Sequence, residues 1–415
     1  MVCDFFVQSH DFNGAPATHL VGLSGSTWPE LRSQLARLIE TRKVDLALAS
    51  LHENPHIKRL SNLPVDTQLT GLAEESIGGI CIYPSSDLMG TRPELRQYDD
   101  RPYTRRLALA EPQLQAAFFE LNVLEKYFRD PRYRCYFGDS EGSISVQDEH
   151  YLSDQMSERD KVLLQTFGIG YDRGRNRVVA VFLRYLSSLS ADHQQIWKAH
   201  EVPGHCTMNS DYERASIWGM WPEHHSVYQA FIQEQVEINK LSVMIGKPPL
   251  FKRTFEDYGR PIEFSPMLRP TLRSFQEFAH TLDKMLSENL DRSFFMGDIA
   301  LEDREATRDG AVKIVPLGTI TLLERWLRSR YRNRDGEDRS QEVVGPLRDV
   351  RAARQPGAHT LTQDEYDPTL PQRQDNLLGG VIITLQKLRF ILMSHPRAKG
   401  YAAPTWLDSG KIVFY

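Results

Sequence analysis

The last third of the chain carries one pattern four times: a helix-length segment whose apolar residues recur three and four apart. Thr271 to Leu290 carries Leu272, Phe275, Phe278, Leu282 and Met285. Thr319 to Arg332 carries Ile320, Leu323, Trp326 and Leu327, and a shorter segment from Pro346 to about Arg354 carries Leu347 and Val350. Asp375 to Ser394 carries Leu378, Ile382, Leu385, Leu388 and Leu392, and stops before Pro396. Such spacing puts the apolar residues of each segment on one helical face. A helix with one apolar stripe has to bury it, so four in succession predict a helical bundle over residues 266–415.

Upstream the pattern is mixed. Thr18 to Leu23 reads as a strand, and Thr27-Trp28-Pro29 starts a helix with threonine as cap and proline in its first turn. Leu31, Leu35, Leu38 and Ile39 give that helix its stripe, and Ile77 to Tyr83 reads as a buried strand. Glu111 to Phe128 is expected to be helical, with Leu114, Phe118, Leu121 and Leu124 on one side. Tyr133 to Val146 reads as a hairpin turning at Gly138 to Gly142. Val178, Val181, Phe182, Tyr185 and Leu189 are expected to line another helix, and Val227 to Ile245 a further one, stopped by Gly246 and Pro248-Pro249. Residues 247–268, with four prolines, read as a linker. The expected class is α+β and mostly helical. It comprises an α+β region over 1–95, a mainly helical region with a hairpin near 133–146 over 96–265, and the bundle over 266–415.

The net charge of −5 on 415 residues excludes a generally basic nucleic-acid coat, while leaving room for a local basic site. Cys3, Cys81, Cys135 and Cys206 lie far apart and form no CxxC pair, which fits a reducing cytoplasm. The N-terminus, with Asp4 and Asp11, lacks a secretory pattern, and the longest apolar runs are too short to span a bilayer. A soluble cytoplasmic protein without a membrane partner is expected.

Between the third and fourth stripes stands Arg354-Gln355-Pro356-Gly357-Ala358-His359. Histidine titrates near neutral pH and can move a proton, and arginine stays charged and grips a phosphate in a bidentate fork. The pair suits cleavage of a phosphodiester. Short motifs recur by chance: with 13 histidines, roughly three Arg-x4–6-His matches are expected. Arg273 with His280 and Arg389 with His395 are two others, but both lie along a helix. Only Arg354 and His359 bracket a turn. Arg348, Arg351 and Arg354 share a helical face and, with Arg328 and Arg332, are candidates to track an RNA backbone. The alternative is a solvated arginine-rich surface paired with Asp335, Glu337, Asp338 and Asp349, with His359 an ordinary surface histidine.

Arg354, Gln355 and His359, set between amphipathic helices, resemble the motif of HEPN (higher eukaryotes and prokaryotes nucleotide-binding) domains. These are small helical bundles whose nuclease members carry Arg, four to six residues, then His. The resemblance covers about a third of the chain. Pro356-Gly357 departs from the family pattern by interrupting a helix at the motif. The resemblance implies a metal-independent endoribonuclease with no cofactor, serving as a toxin or antiviral-defence effector. In it His359 is the general acid or base, Arg354 holds the scissile phosphate and Gln355 orients either partner. It further implies 2′,3′-cyclic phosphate and 5′-hydroxyl ends, a homodimer with a composite cleft, and an antitoxin or regulatory partner. Residues 1–265 would then sense a trigger or restrain the bundle. The main rival is a non-catalytic bundle of the same kind that binds RNA or a protein.

Three other stretches invite chemistry. His200-Glu201-Val202-Pro203-Gly204-His205 has the residues of a zinc site but spaces its histidines five apart across a Pro-Gly break, with Cys206, Glu223, His224 and His225 nearby. A metal-dependent hydrolase there is the third hypothesis. Basic and aromatic residues interleave from Lys126 to Phe137, as in a base-stacking groove or in a hairpin with arginines outward. Gly168-Ile169-Gly170 lacks the context of a dinucleotide site, and 172–177 reads as a turn with a basic rim.

Overall fold

Thr18 to Leu23 is helical rather than extended. The computed structural model describes residues 1–60, 63–138, 140–153, 156–256, 259–306, 312–331, 336–354 and 363–415. Ala15–Pro16 forms a short strand, β1, and Ala17–Ser24 forms helix α1. Ala17 and Leu20, three apart, are its buried residues, a helical spacing within an apolar run too short to decide the matter by itself. α1 ends at Gly25, whose φ of 67° is the left-handed geometry that glycine adopts without strain.

Thr27 opens α2 (Trp28–Glu40) as its sequence dictates, with a reciprocal capping box to Glu30. Leu31, Leu35 and Ile39 turn inward, while Leu38 stays exposed. β2 (Val44–Leu48), α3 (Val65–Glu74) and β3 (Ile80–Pro84) complete this part. The three strands form an antiparallel sheet in the order β1-β3-β2, with the central β3 wholly buried.

Glu111 to Phe128 does not form the expected helix. Ala116–Glu120 is a strand, β4, and a 3-10 turn over Leu121–Leu124 follows it. Ala117 and Phe119 are buried and alternate with less buried neighbours, so period two prevails over the i, i+3 coincidence of Leu114, Phe118 and Leu121. β5 (Tyr133–Phe137) and β6 (Glu141–Val146) form the hairpin read from the sequence, followed by β7 (Leu163–Tyr171). Val178 to Phe182 belongs to β8 (Arg177–Phe182), again a strand where a helix was expected. A continuous apolar run fits a buried strand as well as a buried helix, and three valines tip it toward the sheet. The turn over 172–176 joins β7 to β8, with Asn176 N donating to Asp172 Oδ1. The sheet runs β4-β8-β7-β6-β5, with the short β9 (Thr207–Met208) on β7. α4 (Ala191–Ala199) places Trp197 edge-on against Phe119 of β4. Trp197 Nε1 donates to Tyr127 Oη at 3.1 Å, and Tyr127 Oη lies 2.7 Å from His193 Nδ1.

The chain packs as two units, Met1–Pro222 and Glu223–Tyr415, so its boundary falls after Pro222 rather than at 95 and 265. The second unit contains β10 (His225–Ser226), α5 (Val227–Met244), α6 (Leu272–Met285), β11 (Glu302–Ala306), β12 (Val312–Pro316), α7 (Thr319–Arg330), α8 (Ser340–Arg354), α9 (Leu370–Met393) and β13 (Ile412–Val413). β10 and β13 pair in parallel, and β11 with β12 makes an antiparallel ribbon. α5 joins this unit because its buried face lies along α9. Residues 247–268 are no linker: Leu250, Phe251 and Phe264 are buried in the same core. α8 begins at Ser340, six residues before Pro346, which lies inside it.

α9 is long and apolar enough to cross a membrane by length and composition. Here it is the core helix of its unit and carries a fully buried arginine, Arg389, paired with Glu234 of α5 at 2.8 Å and with Asp408 at 2.6 Å. The protein is thus a mixed α+β, helix-rich fold with a helical C-terminal unit.

Two predictions follow from the buried polar groups. Glu234→Leu leaves Arg389 with Asp408 alone and is expected to cost about 3 kcal/mol in urea unfolding. Burial holds the imidazoles of His52 and His193 below their ordinary range. The unfolded chain takes up these protons near pH 6.5 while the folded chain resists, so stability falls as pH drops below about 6.5. Melting temperature should decline from pH 7.5 to 5.5, less steeply in His193→Gln; equal slopes would show that His193 does not contribute.

Candidate functional site

α8 presents Arg348, Arg351 and Arg354 at successive intervals of three, so they descend one side of the helix toward its C-terminal end. Two polar clusters result. Near the middle of α8, Arg348 Nη1 donates to Gln341 Oε1 at 2.6 Å and Nη2 pairs with Glu324 of α7. Arg328 pairs with the same Glu324 at 2.7 Å and with Asp338 at 2.7 Å. Asp338 is among the acids that the solvated-surface alternative named. Arg328 and Arg348 are therefore satisfied within the protein rather than left open to a phosphate backbone.

The second cluster lies at the end of α8, against α6. Arg354 Nη1 donates to Asp283 Oδ2 at 2.7 Å and pairs with Glu288. Arg351 Nη2 donates to Ser287 Oγ at 3.0 Å, with its Nε 3.8 Å from Asp283 Oδ2. Ser287 Oγ donates to Asp283 Oδ1. Asp283 and Ser287 are fully buried, whereas the side chains of Arg351 and Arg354 are 38% and 31% exposed. The carboxylate lies beneath the two guanidinium groups. Each arginine keeps a face toward solvent.

His280, one turn before Asp283 on α6, completes the electrostatics. Burial first, then the charges of Lys284 and Arg354, hold its imidazole below the ordinary range, against the pull of Glu288 and Asp283. The hydrogen bond from Arg354 holds the Glu288 carboxyl below its usual range. At neutral pH the cluster therefore contains two guanidinium groups, an ionised Glu288 carboxylate and a neutral His280 imidazole.

Asp283 was not singled out from the sequence, yet its position carried a clue. It falls four residues after Ala279 and eight after Phe275, both buried, so it continues a buried row of α6 as a carboxylate. A carboxylate in such a row needs a cationic partner. The partner comes from another helix, which periodicity within α6 cannot reveal.

Of the residues expected to act, the structure brings Arg351 and Arg354 together and places Arg328 and Arg348 in the separate cluster around Glu324. Gln355 and His359, and with them the Pro356-Gly357 turn, lie outside the described residues, as does Arg332. The competing pair Arg389 and His395 is removed, because Arg389 is consumed by Glu234 and Asp408 in the core. The His200 stretch gathers no ligand set. His200 Nδ1 faces Glu120 at 3.6 Å, and Glu201 accepts from Tyr103 Oη at 3.2 Å and Lys198 Nζ at 2.7 Å. Among the described residues, no group of three or more His, Cys, Asp or Glu is placed to hold a metal ion. The basic-aromatic stretch is the hairpin alternative: Tyr133 and Phe137 point inward and Arg134 outward.

Comparison with models of protein families, with curated proteins and with solved structures finds no match to this chain. Fold and site define a helix-rich α+β protein whose C-terminal unit holds arginines over a buried carboxylate at the end of one helix. Arg354→Ala should destabilise that unit by about 2 kcal/mol, because Asp283 keeps only the more distant Arg351 as a cationic partner. Urea unfolding would measure the loss, and an unchanged midpoint would mean that Arg351 or water takes over the carboxylate.

Proposed function

We propose that the C-terminal unit is a metal-independent endoribonuclease of the HEPN type, acting through Arg354 and His359. The observation that carries this reading is the setting of Arg354. It is the last described residue of α8, anchored on one side by buried Asp283, partly open to solvent on the other, and five residues before His359 in sequence. A guanidinium held so can grip a phosphate with a defined orientation. The motif's likeness to HEPN nucleases supplies the rest.

In this reading His359 removes the proton of a ribose 2′-hydroxyl as that oxygen attacks phosphorus, or protonates the departing 5′-oxygen. Arg354 stabilises the charge that develops on the phosphoryl oxygens, and Gln355 orients the histidine or the phosphate. The products carry a 2′,3′-cyclic phosphate and a 5′-hydroxyl. The same likeness suggests a cytoplasmic homodimer with a composite cleft, used as a toxin or defence effector and governed by the N-terminal unit or a regulatory partner.

One observation favours, among the non-catalytic alternatives, a bundle of the same kind that binds a protein rather than RNA. Every described arginine of the expected basic face already has an acidic partner. Such a face attracts a polyanion only weakly.

The test is incubation of wild type and His359→Ala with mixed cellular RNA in excess EDTA, followed by analysis of fragment ends. Cyclic phosphate ends from wild type, reduced a hundredfold or more (roughly) in the variant, are the expected result. Equal cleavage by both would place the activity elsewhere. Absence of cleavage by wild type would leave the binding module.

A further inference from the structure

We infer that Asp283 is the positioning residue of this site and that Glu288 occupies the place of the RNA phosphate on Arg354. The inference rests on the nuclease reading and deepens it.

Three observations lead there. First, the two carboxylates that hold Arg354 differ in kind: Asp283 is fully buried and Glu288 is 43% exposed. Second, Asp283 is itself immobilised. Its Oδ1 accepts from Ser287 Oγ, its Oδ2 accepts from Arg354, and Thr319 Oγ1 donates to the Ser287 carbonyl at 2.6 Å, which ties the turn after α6 to the start of α7. Third, among the described residues both bonds of Arg354 come from one nitrogen, Nη1.

An arginine side chain has many rotamers, and a phosphate clamp works only when the fork is fixed before the substrate arrives. A buried, doubly bonded carboxylate can fix it because it cannot swing into solvent. An exposed glutamate cannot do so. It has the charge of a phosphate oxygen, reaches the guanidinium from the solvent side, and is readily released, since exposed ion pairs are weak. The arriving phosphate takes over the Glu288 contact while Asp283 keeps its own.

The two acids therefore have opposite consequences for catalysis. Removing the Asp283 charge frees the fork and slows the chemical step, while making the site one charge more positive, which favours RNA. Removing the Glu288 charge also favours RNA and leaves the fork in place. A purely structural role for Asp283 would instead lower turnover, binding and stability together.

The experiment uses the full chain and two readouts: cleavage kinetics on a fluorescent RNA, and affinity for the same sequence made uncleavable by 2′-O-methyl groups. Asp283→Asn is expected to lower kcat about tenfold or more, with affinity for the methylated RNA unchanged or higher. Glu288→Gln is expected to keep kcat within about twofold and to bind the methylated RNA more tightly. Should Asp283→Asn fold poorly, Ser287→Ala keeps the ion pair and its charge but releases Oδ1; it should lower kcat severalfold at unchanged affinity. Wild-type kcat in both Asp283→Asn and Ser287→Ala would overturn the positioning role, as would parallel loss of kcat and affinity. Weaker binding by Glu288→Gln would overturn the phosphate-mimic role. A wild type that does not cleave, with His359→Ala equally silent, would overturn the nuclease reading and this inference with it. Cleavage abolished in His359→Ala but intact in Asp283→Asn would overturn this inference alone.

Discussion

The C-terminal unit depends on a guanidinium that has no contact with water. Arg389 sits in α9 among leucines and is held by Glu234 from α5 and Asp408 from the segment leading to β13. Taking such charges out of water costs several kcal/mol per ion, and their attraction only offsets this when geometry is good. Net stability is thus a poor account of its presence. Its consequence is register: a slide of α9 along α5 would strand a buried charge. With α9 fixed, α8 is fixed too, through packing and through Thr384 Oγ1, which donates to the Val343 carbonyl at 3.0 Å. α8 in turn brings Arg351 and Arg354 over Asp283. One buried ion pair in the core thereby constrains the polar cluster between α6 and α8.

The charges near that cluster do not form the open basic footprint that arginine spacing suggested. Arg328 and Arg348 share Glu324, and Arg351 and Arg354 share Asp283. Long-range attraction of a polyanion scales with uncompensated charge, so a net-acidic chain with paired arginines has little of it. Any phosphate recognised here must be held by short-range geometry at one or two arginines. That suits a cleavage site, where one scissile phosphate has to be placed, better than it suits a binding track along many nucleotides.

What the sequence made legible follows from how local each determinant is. The Thr27–Glu30 capping box, the hairpin of β5 and β6, and α5, α6, α7 and α9 rest on residues within a few positions of one another, and the structure shows them. The failure at β8 arises where apolar residues run together, so that burial on both sides hides the period. At β4 a helical coincidence of Leu114, Phe118 and Leu121 masked a true alternation, and at α1 six residues were too few to show a period. Residues 247–268 misled because prolines mark loops but do not say whether a loop is buried: Phe264 stacks parallel to Phe278 at 6.1 Å. At the candidate site the shared side of Arg351 and Arg354 was legible from their spacing. Asp283, Ser287 and Glu288 were not, since their meaning depends on a helix that arrives more than sixty residues later.

Arg354 is the last described residue of α8 and stands two residues before Pro356, which disfavours helical geometry at its predecessor. Arg354 thus lies in the last described turn of α8, where a cation suits the helix dipole. In the sequence, Pro356-Gly357 stands between Arg354 and His359, and such a pair keeps helix periodicity from setting how the two are placed. A productive pair then needs its arginine fixed independently of the segment that carries the histidine. Asp283, reaching from a different helix and anchored to a third through Ser287 and Thr319, provides that independence. On the proposed nuclease reading, a motif interrupted by Pro-Gly calls for an arginine held from elsewhere, and the buried aspartate beneath Arg354 holds it.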